Sequence, residues 1–483
     1  MLAPGRHAEM SARTERTGTQ SDRGERRRVS GQLAGLIESN LMAMSQASKP
    51  IEHRTMAKVA WRLLPLAAVA YCVAYIDRTN ISVAALTMNE DLGFSAYLYG
   101  WGAGIFFFSY FLFEIPSNLI LERTGARLWI ARIMLTWGII SGLTAFVTGP
   151  TSFLVIRFLL GAAEAGFFPG MILYFTYWFP SHYRGRVIST LFIAQPVANA
   201  LASILSAAIL GMDGVLGLKG WQWIFIIEAI PAIVLTFVVL GMMTDRPQVA
   251  RWLTQDEKKW LQTTLDEEKE KIEGAGRLTL LRALYDPRVV ALSIMYFLSV
   301  TANYGIVFFM PQIIKGIGLS DMMTGFVSSL PYIIGTVGLI LWGWSSDRNA
   351  ERRWHLIVAS TLAGAGLVFA GWTGASYWAV LGMSAATVGI YGSRASFWPM
   401  PSIFLTGTAA AGAIALINAV GNLGGYVGPF IVGWIKDSTN SFEAALYFLA
   451  ACSVGCALLT FFAARATREH AAAKQISALQ PAT

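Results

Sequence analysis

The sequence predicts an all-α polytopic membrane protein, in which twelve transmembrane helices form two pseudo-symmetric bundles of six. Three observations support this fold class. Of the 483 residues, 55% are hydrophobic and only 14% are charged, whereas a typical soluble domain is about 25% charged. Twelve apolar segments follow one another, each close to the roughly 20 residues that a helix needs to cross a bilayer. One long polar connection divides these segments into two sets of six.

The predicted spans are separated by short loops, except at that connection. Their predicted cores are 61–84, 97–120, 126–147, 151–177, 187–212, 222–243, 289–314, 322–345, 355–373, 377–405, 408–435 and 442–465. Residues 244–288 join the sixth and seventh spans and contain a charged stretch, Thr254–Lys271, that is typical of a surface helix. The chain therefore divides into an N-terminal bundle, 56–243, and a C-terminal bundle, 289–466.

Polar segments flank the two bundles. Residues 1–55 are rich in Arg, Ser, Gly and Thr and lack the apolar core of a signal peptide, which predicts a disordered cytoplasmic tail. An alternative is that translation starts at Met42, Met44 or Met56. Residues 467–483 are predicted to form a second, short cytoplasmic tail.

Loop charges predict how the chain is oriented in the membrane, because lysine and arginine are enriched in cytoplasmic loops. The loops after the second, fourth and eighth spans carry Arg123, Arg127, Arg184, Arg186, Arg348, Arg352 and Arg353. The opposite loops are acidic at Glu90 and Asp91 or balanced at Asp213 and Lys219. Both termini and the central connection are therefore predicted to be cytoplasmic; the expected location is the inner membrane of a bacterium.

Composition argues against several other classes of protein. The net charge of +8 is concentrated in the N-terminal tail and in short loops, so it indicates topology rather than nucleic-acid binding. The three cysteines lie inside apolar runs, without the clustered ligands of a metal site. No phosphate-binding loop, nucleotide fold or catalytic triad is recognisable. The chain is therefore predicted to be no enzyme and to require no cofactor.

Charged residues inside the apolar spans are the strongest functional signal. Asp77 and Arg78 are adjacent in the first span, and Arg157 and Glu164 lie seven residues apart on one helical face of the fourth. A charge at the bilayer centre costs about 2.5–3.5 kcal/mol on insertion scales, and such residues mark ion or substrate pathways. The alternative is that these four residues form internal ion pairs that only hold helices together.

Other polar residues within the spans are candidates for the same cavity. Asn303 and Tyr304 in the seventh span and Asn418 in the eleventh offer neutral hydrogen bonds, and bonds between packed helices explain them equally well. Arg394 in the tenth span gives the C-terminal half its own anion clamp if it faces the cavity, or else snorkels at the headgroups. Trp398 either stacks on a planar substrate or packs against neighbouring helices.

Short motifs resemble those of a known family. The loops at Leu121–Arg127 and Trp344–Arg348 resemble the repeated signature of the major facilitator superfamily, although Pro116 and Ser117 stand where a glycine is usual and Glu122 replaces an aspartate. The more specific matches are Tyr75–Asn80, Glu114–Asn118, Arg157–Gly166 and Gly421–Gly425. Together they resemble the anion:cation symporter family over about residues 58–466. That family includes permeases for sugar acids, tartrate, phthalate and hydroxyphenylacetate.

The resemblance implies roles for individual residues. It implies that Asp77 and Glu164 are the proton-coupling carboxylates, with Arg78 and Arg157 near the acid group of the substrate. The further positions that match substrate-contacting residues of the family are Tyr110 and Gln195. The implied gate residues, whose contacts change between inward-facing and outward-facing states, are Glu122, Arg123, Arg127, Asp347 and Arg348.

The predicted function is a proton-coupled symporter that imports a small organic anion by alternating access. A buried carboxylate becomes easier to protonate when a substrate anion competes for its arginine, so proton and anion bind cooperatively. The alternatives are an uncoupled facilitator or exchanger and a membrane sensor that has lost transport. The expected partners are the anion and membrane lipid, without nucleic acid, and the protein is expected to be a monomer. Whether the substrate has one or two carboxyl groups is left open.

Overall fold

The computed structural model describes residues 51–274, 286–401 and 407–479, and every regular element in these ranges is helical. The long helices are α1 Ile51–Asp91, α2 Ala96–Thr124, α3 Ala126–Leu143, α4 Pro150–Thr176, α5 Ser181–Leu210, α6 Gly220–Met242, α7 Gln255–Gly274, α8 Pro287–Lys315, α9 Asp321–Arg348, α10 Arg353–Thr373, α11 Tyr377–Phe397, α12 Gly407–Thr439 and α13 Glu443–Leu479. The fold class predicted from the sequence is confirmed.

Within the described ranges, eleven helices are long and apolar enough to cross a membrane, and each corresponds to a predicted span. The predicted span that is not among these eleven corresponds to α11. Helix α11 has the same length as α10, 21 residues, but its sequence is more polar. Its polar residues Thr387, Ser393 and Arg394 are buried, because α11 packs against α9 and α10. The polar side chains of α11 therefore lie inside the protein.

The two ends of the helical chain extend beyond the predicted spans. Helix α1 begins at Ile51, inside the predicted tail 1–55, whose residues 1–50 lie outside the described ranges. Helix α13 continues to Leu479 through most of the predicted C-terminal tail. This continuation is rich in good helix formers such as Ala471–Ala473.

The first turns of α1, which precede the predicted span, contact the surface helix α7. The Glu257 carboxylate accepts hydrogen bonds from Lys58 Nζ at 2.7 Å and Arg54 Nε at 3.0 Å. Burial alone would raise the pKa of Glu257, but the hydrogen bonds from Lys58 and from the Thr254 backbone N–H, with the nearby positive charges, hold that pKa below its usual value. At the start of α5, Arg184 Nη2 pairs with Glu268 at 3.0 Å. We call this side of the bundle the α7 end and the opposite side the far end.

The interface between the halves follows the predicted internal repeat. The second helix of the N-terminal half, α2, packs against the fifth of the other half, α12. In the same way α9, the second helix of the C-terminal half, packs against α5, and the two first helices, α1 and α8, also meet. This reciprocal pairing is what a pseudo-two-fold axis between two six-helix bundles produces.

Contacts between the halves are dense at the far end. The backbone N–H groups of Ala96 and Tyr97 donate to Asp437 at 3.0 and 2.8 Å. The Tyr99 hydroxyl donates to the Phe308 carbonyl oxygen at 2.9 Å. These bonds join α2 to α12 and to α8, so the far end of the interface is closed in this conformation.

Two helices are interrupted next to charged residues. A turn at Asn80 breaks α1 just after Asp77 and Arg78. Helix α4 is broken after Glu164, where Ala165 is extended and Gly166 has φ +88°. Such breaks are tolerated at membrane depth where they are enclosed by protein or line a cavity. Both breaks in the helical backbone therefore lie next to charged residues of the N-terminal half.

Candidate functional site

A cavity lies between the two halves and is bounded by α1, α2, α4, α5, α8, α11 and α12. The space between its protein atoms, with the open solvent at its mouth included, is about 610 Å³. Its polar lining consists of Arg78, Glu164, Gln195, Arg394, Asn418 and Asn422. Its aromatic lining includes Tyr71, Tyr75, Phe107, Tyr110, Tyr296 and Tyr304.

Arg78 and Glu164 form an ion pair on the N-terminal side of the cavity. Arg78 Nη2 contacts Glu164 Oε1, and both side chains are almost completely buried. Arg78 Nη1 also donates to the Tyr304 hydroxyl of the other half at 3.2 Å. Because guanidinium groups bind carboxylates through a planar set of donors, Arg78 is equipped to hold one carboxylate at a time at this edge of the cavity.

Aromatic rings surround the Arg78 guanidinium. Its Cζ lies 4.9 Å from the ring centroid of Tyr75, 5.1 Å from that of Phe106 and 5.4 Å from that of Tyr110. Arginine within about 6 Å of a ring face is stabilised by cation–π attraction. These rings help to keep a cation buried even when the ion pair with Glu164 is broken.

Arg394 provides a second guanidinium on the C-terminal side of the same cavity. Its Nη1 donates to Gln195 Oε1 at 2.5 Å, and its Nε has no partner among the described residues. Because arginine only donates hydrogen bonds, Gln195 turns its oxygen towards Arg394 and keeps its Nε2 group as a further donor. Gln195 Nε2 is likewise without a partner in the described chain. Arg394 therefore faces the cavity rather than the headgroups.

Asp77 points away from the cavity, into its own half. Its two carboxylate oxygens accept hydrogen bonds from Trp137 Nε1 at 2.7 Å and Ser141 Oγ at 3.0 Å. No ion pair to Asp77 is found in the described residues. The two predicted coupling carboxyls thus occupy different environments, one beside an arginine and one among neutral donors.

Arg157 also lies outside the cavity lining. It is completely buried, and its Nε donates to the Gly102 carbonyl oxygen at 3.2 Å. Both of its Nη groups are without partners in the part of the chain that the structure describes. The structure therefore pairs Glu164 with Arg78 and does not bring Arg157 to the cavity with them.

The remaining predicted substrate residues divide between lining and packing positions. Tyr110, Tyr304 and Asn418 line the cavity. Asn303 is buried but is not part of the lining. The indole of Trp398 stacks on Phe192 with ring centroids 6.2 Å apart, next to the cavity rather than in its wall.

The predicted gate residues lie at the α7 end and are mostly exposed. Asp347 pairs with Arg352 of its own half at 2.5 Å. Arg127 donates from Nε to the Leu240 carbonyl oxygen at 2.7 Å and from its backbone N–H to Asp245. For Glu122, Arg123 and Arg348, no hydrogen bond or ion pair across the two halves is found in the described residues. The bonds between the halves at the far end have no counterpart among these five residues.

Two buried acids received no role from the sequence. Glu114 of α2 accepts hydrogen bonds from Asn418 and Asn422 of α12. Glu228 of α6 accepts one from Ser206 Oγ at 2.7 Å. Each is a single acid within an apolar span. The criterion that selected Asp77 and Glu164, an acidic residue inside an apolar span, would also have selected Glu114 and Glu228.

Comparisons with known proteins match most of the chain. The family model described as Major Facilitator Superfamily matches residues 67–411. A protein of Agrobacterium vitis named "Putative tartrate transporter" is 48% identical over 417 residues, 86% of this chain and 93% of that protein. A quinolone resistance transporter of Acinetobacter baumannii is 41% identical over 85% of this chain and 95% of its own. The crystal structure of a bacterial homolog to the human lysosomal transporter Spinster has a TM-score of 0.68 at 16% identity, covering 83% of this chain and 96% of that one, and so shares the fold.

Proposed function

The chain belongs to the Major Facilitator Superfamily and is a multi-pass membrane transporter, not an enzyme, and we propose that it is a proton-coupled symporter importing a small dicarboxylate such as tartrate. One observation carries the proposal: Arg78 and Arg394, from opposite halves, line one cavity. Two guanidiniums facing one cavity suit a ligand with two carboxylates. The relative named as a tartrate transporter supports this choice of substrate.

The proposed binding step begins with competition for Arg78. A substrate carboxylate takes the place of Glu164 on the guanidinium, and the second carboxylate binds Arg394 and the free Nε2 group of Gln195. Glu164 then loses its ion-pair partner within a buried site, where an unpaired ionised carboxyl is unfavourable. It therefore takes up a proton, and proton binding favours anion binding by the same free energy that anion binding favours proton binding.

Asp77 is the second proposed proton site. It is buried and held by the neutral donors Trp137 and Ser141, so no arginine has to be released before it binds a proton. Protonation of both Asp77 and Glu164 would neutralise the two negative charges of a bound dicarboxylate. The loaded protein then changes conformation without moving net charge across the membrane.

Alternating access follows from the positions of the two anion-binding arginines. A dicarboxylate bound to Arg78 and Arg394 bridges the two halves, so its arrival favours rocking of one half against the other. The basic loops lie at the α7 end, which supports the proposal that this end faces the cytoplasm and the far end the outside, in a bacterial inner membrane. The working unit is proposed to be a monomer in lipid, and an uncoupled exchanger is the main alternative.

A thermal-shift measurement on the purified protein tests the substrate assignment. Tartrate at a hundredfold excess over its Kd should stabilise the wild type by about 2.7 kcal/mol, and Arg394→Ala should lose this stabilisation. The control is Arg353→Ala, since Arg353 lies on α10 away from the cavity and contacts the Phe461 carbonyl oxygen. If only monocarboxylates or quinolones stabilise the wild type and Arg394→Ala responds normally, the dicarboxylate proposal is wrong.

A further inference from the structure

We infer that Glu114 is a positioning residue that makes the cavity selective for dicarboxylates bearing hydroxyl groups. This inference rests on the proposed function, because it concerns how the same cavity distinguishes one dicarboxylate from another. Glu114 lies on α2 and is 8% exposed, and it is not part of the cavity lining. It acts through two asparagines that do line the cavity.

Glu114 holds both asparagine side chains across the interface between the halves. Its Oε1 accepts a hydrogen bond from Asn418 Nδ2 at 3.0 Å, and its Oε2 accepts one from Asn422 Nδ2 at 3.2 Å. The two asparagines lie one turn apart on α12, so one carboxylate reaches both. Each carboxylate oxygen is therefore committed to one amide.

The chemistry of the carboxylate fixes which way each amide is turned. An ionised carboxylate only accepts hydrogen bonds, whereas an asparagine amide has one donating and one accepting end. Both amides direct their NH₂ groups to Glu114, which leaves both Oδ1 atoms as acceptors. No donor to Asn418 Oδ1 or Asn422 Oδ1 is found among the described residues.

This arrangement gives the cavity two kinds of polar wall. Arg78, Arg394 and Gln195 Nε2 are donors, and they suit carboxylates. The two Oδ1 atoms are acceptors, which repel carboxylates and suit hydroxyl groups. A dicarboxylate with hydroxyls on its carbon chain satisfies both walls, whereas one without hydroxyls leaves desolvated acceptors unpaired. Sites built to bond a hydroxyl discriminate strongly against analogues that lack it.

Competition with the uptake of labelled tartrate measures this selectivity. Unlabelled tartrate, malate and succinate carry two, one and no hydroxyl groups on the same four-carbon skeleton. In the wild type we expect inhibition constants to rise in that order, with succinate at least about 100-fold weaker than tartrate. In Glu114→Gln, whose amide both donates and accepts, the asparagines are free to turn, and the succinate-to-tartrate ratio should fall about tenfold.

The control is Glu90→Gln, the same acid-to-amide change at the exposed end of α1, which should keep the wild-type ratio. A second variant, Asn422→Ala, removes one acceptor while Glu114 and Asn418 remain, and should reduce the preference for tartrate over malate. The positioning role is overturned if the ratios of the inhibition constants are unchanged in both Glu114→Gln and Asn422→Ala. It is also overturned if these variants lose affinity equally for all three acids. If the wild type takes up no labelled tartrate, it is the proposed function that fails.

Discussion

Asp77 and Arg78 are consecutive residues, yet their side chains enter different environments. Successive side chains of a helix point about 100° apart, so Asp77 reaches Trp137 and Ser141 while Arg78 reaches the cavity. The sequence identified both residues from the cost of placing charge in a membrane. It could not identify their partners, because those partners come from helices distant in the chain.

Arg157 is a second residue whose partner could not be predicted from the sequence. Its position on one helical face with Glu164 predicted a shared site, and the resemblance implied a role near the substrate. In the structure Arg78 takes Glu164, and Arg157 bonds a backbone carbonyl outside the cavity lining. Helical periodicity gives the face of a residue but not which of two arginines meets a given acid.

Because Arg157 lies outside the cavity lining, its replacement should leave tartrate binding nearly unchanged. Arg157→Met replaces a buried guanidinium that has one hydrogen bond with an apolar side chain of similar length, which removes the cost of burying a charge whose Nη groups have no partner among the described residues. We expect its melting temperature to equal or exceed that of the wild type, with the tartrate Kd changed less than about threefold. Arg78→Met is the matched comparison and should lose tartrate binding. Equal loss of binding in both variants would place Arg157 at the substrate.

At the scale of single elements, the break in α4 positions Glu164, the proposed coupling acid. Gly166 adopts φ +88°, a left-handed conformation that costs other residues roughly 1–2 kcal/mol. A Cβ atom there would also collide with the Ser117 side chain. Glu164 is the last residue before this break, so the direction of its carboxyl depends on the glycine.

Replacement of that glycine should therefore affect both stability and coupling. Gly166→Ala is expected to lower the free energy of unfolding by about 1–2 kcal/mol and to weaken tartrate-dependent stabilisation. Gly170→Ala serves as the control, because Gly170 is helical and a methyl group there would overlap only the end of the Leu121 side chain, at 2.6 Å, and would lie at normal contact distance from Asn118. Differential scanning fluorimetry with and without tartrate distinguishes them, and equal behaviour of the two variants would contradict the role given to the break.

Helix boundaries were less predictable than helix existence. The start of α1 was predicted too late because its first turns are polar, and they are helical because Lys58 and Arg54 bind Glu257 of α7. Helix α11 lies where the tenth span was predicted, although its sequence is more polar than that of α10. Its apolar run was visible in the sequence, whereas the burial of Arg394 against Gln195 depends on α5 of the N-terminal half.

At the scale of the whole molecule, the reciprocal packing of α2 with α12 and of α5 with α9 gives the halves a common interface. The division into two sixes was predictable from the order of apolar and polar segments. The closure of the far end through Tyr97, Tyr99 and Asp437 was not. A protein that alternates between two conformations has one sequence for both, so the sequence does not specify which end is closed.

The net charge of the proposed cargo determines which gradient would drive its transport. A dianion that enters with two protons moves no net charge, so the membrane potential contributes nothing and the pH gradient supplies all the free energy. Each pH unit is worth 1.36 kcal/mol per proton, so two protons supply about 2.7 kcal/mol. This corresponds to a concentration ratio of about 100 for each pH unit.

The most direct measurement is the accumulation of labelled tartrate in proteoliposomes with the outside one pH unit more acidic. The account predicts accumulation up to about 100-fold, unaffected by an imposed potassium diffusion potential. Asp77→Asn and Glu164→Gln should abolish accumulation while retaining tartrate exchange. Accumulation driven by the potential alone, or full accumulation in both variants, would contradict proton-coupled entry of a dicarboxylate.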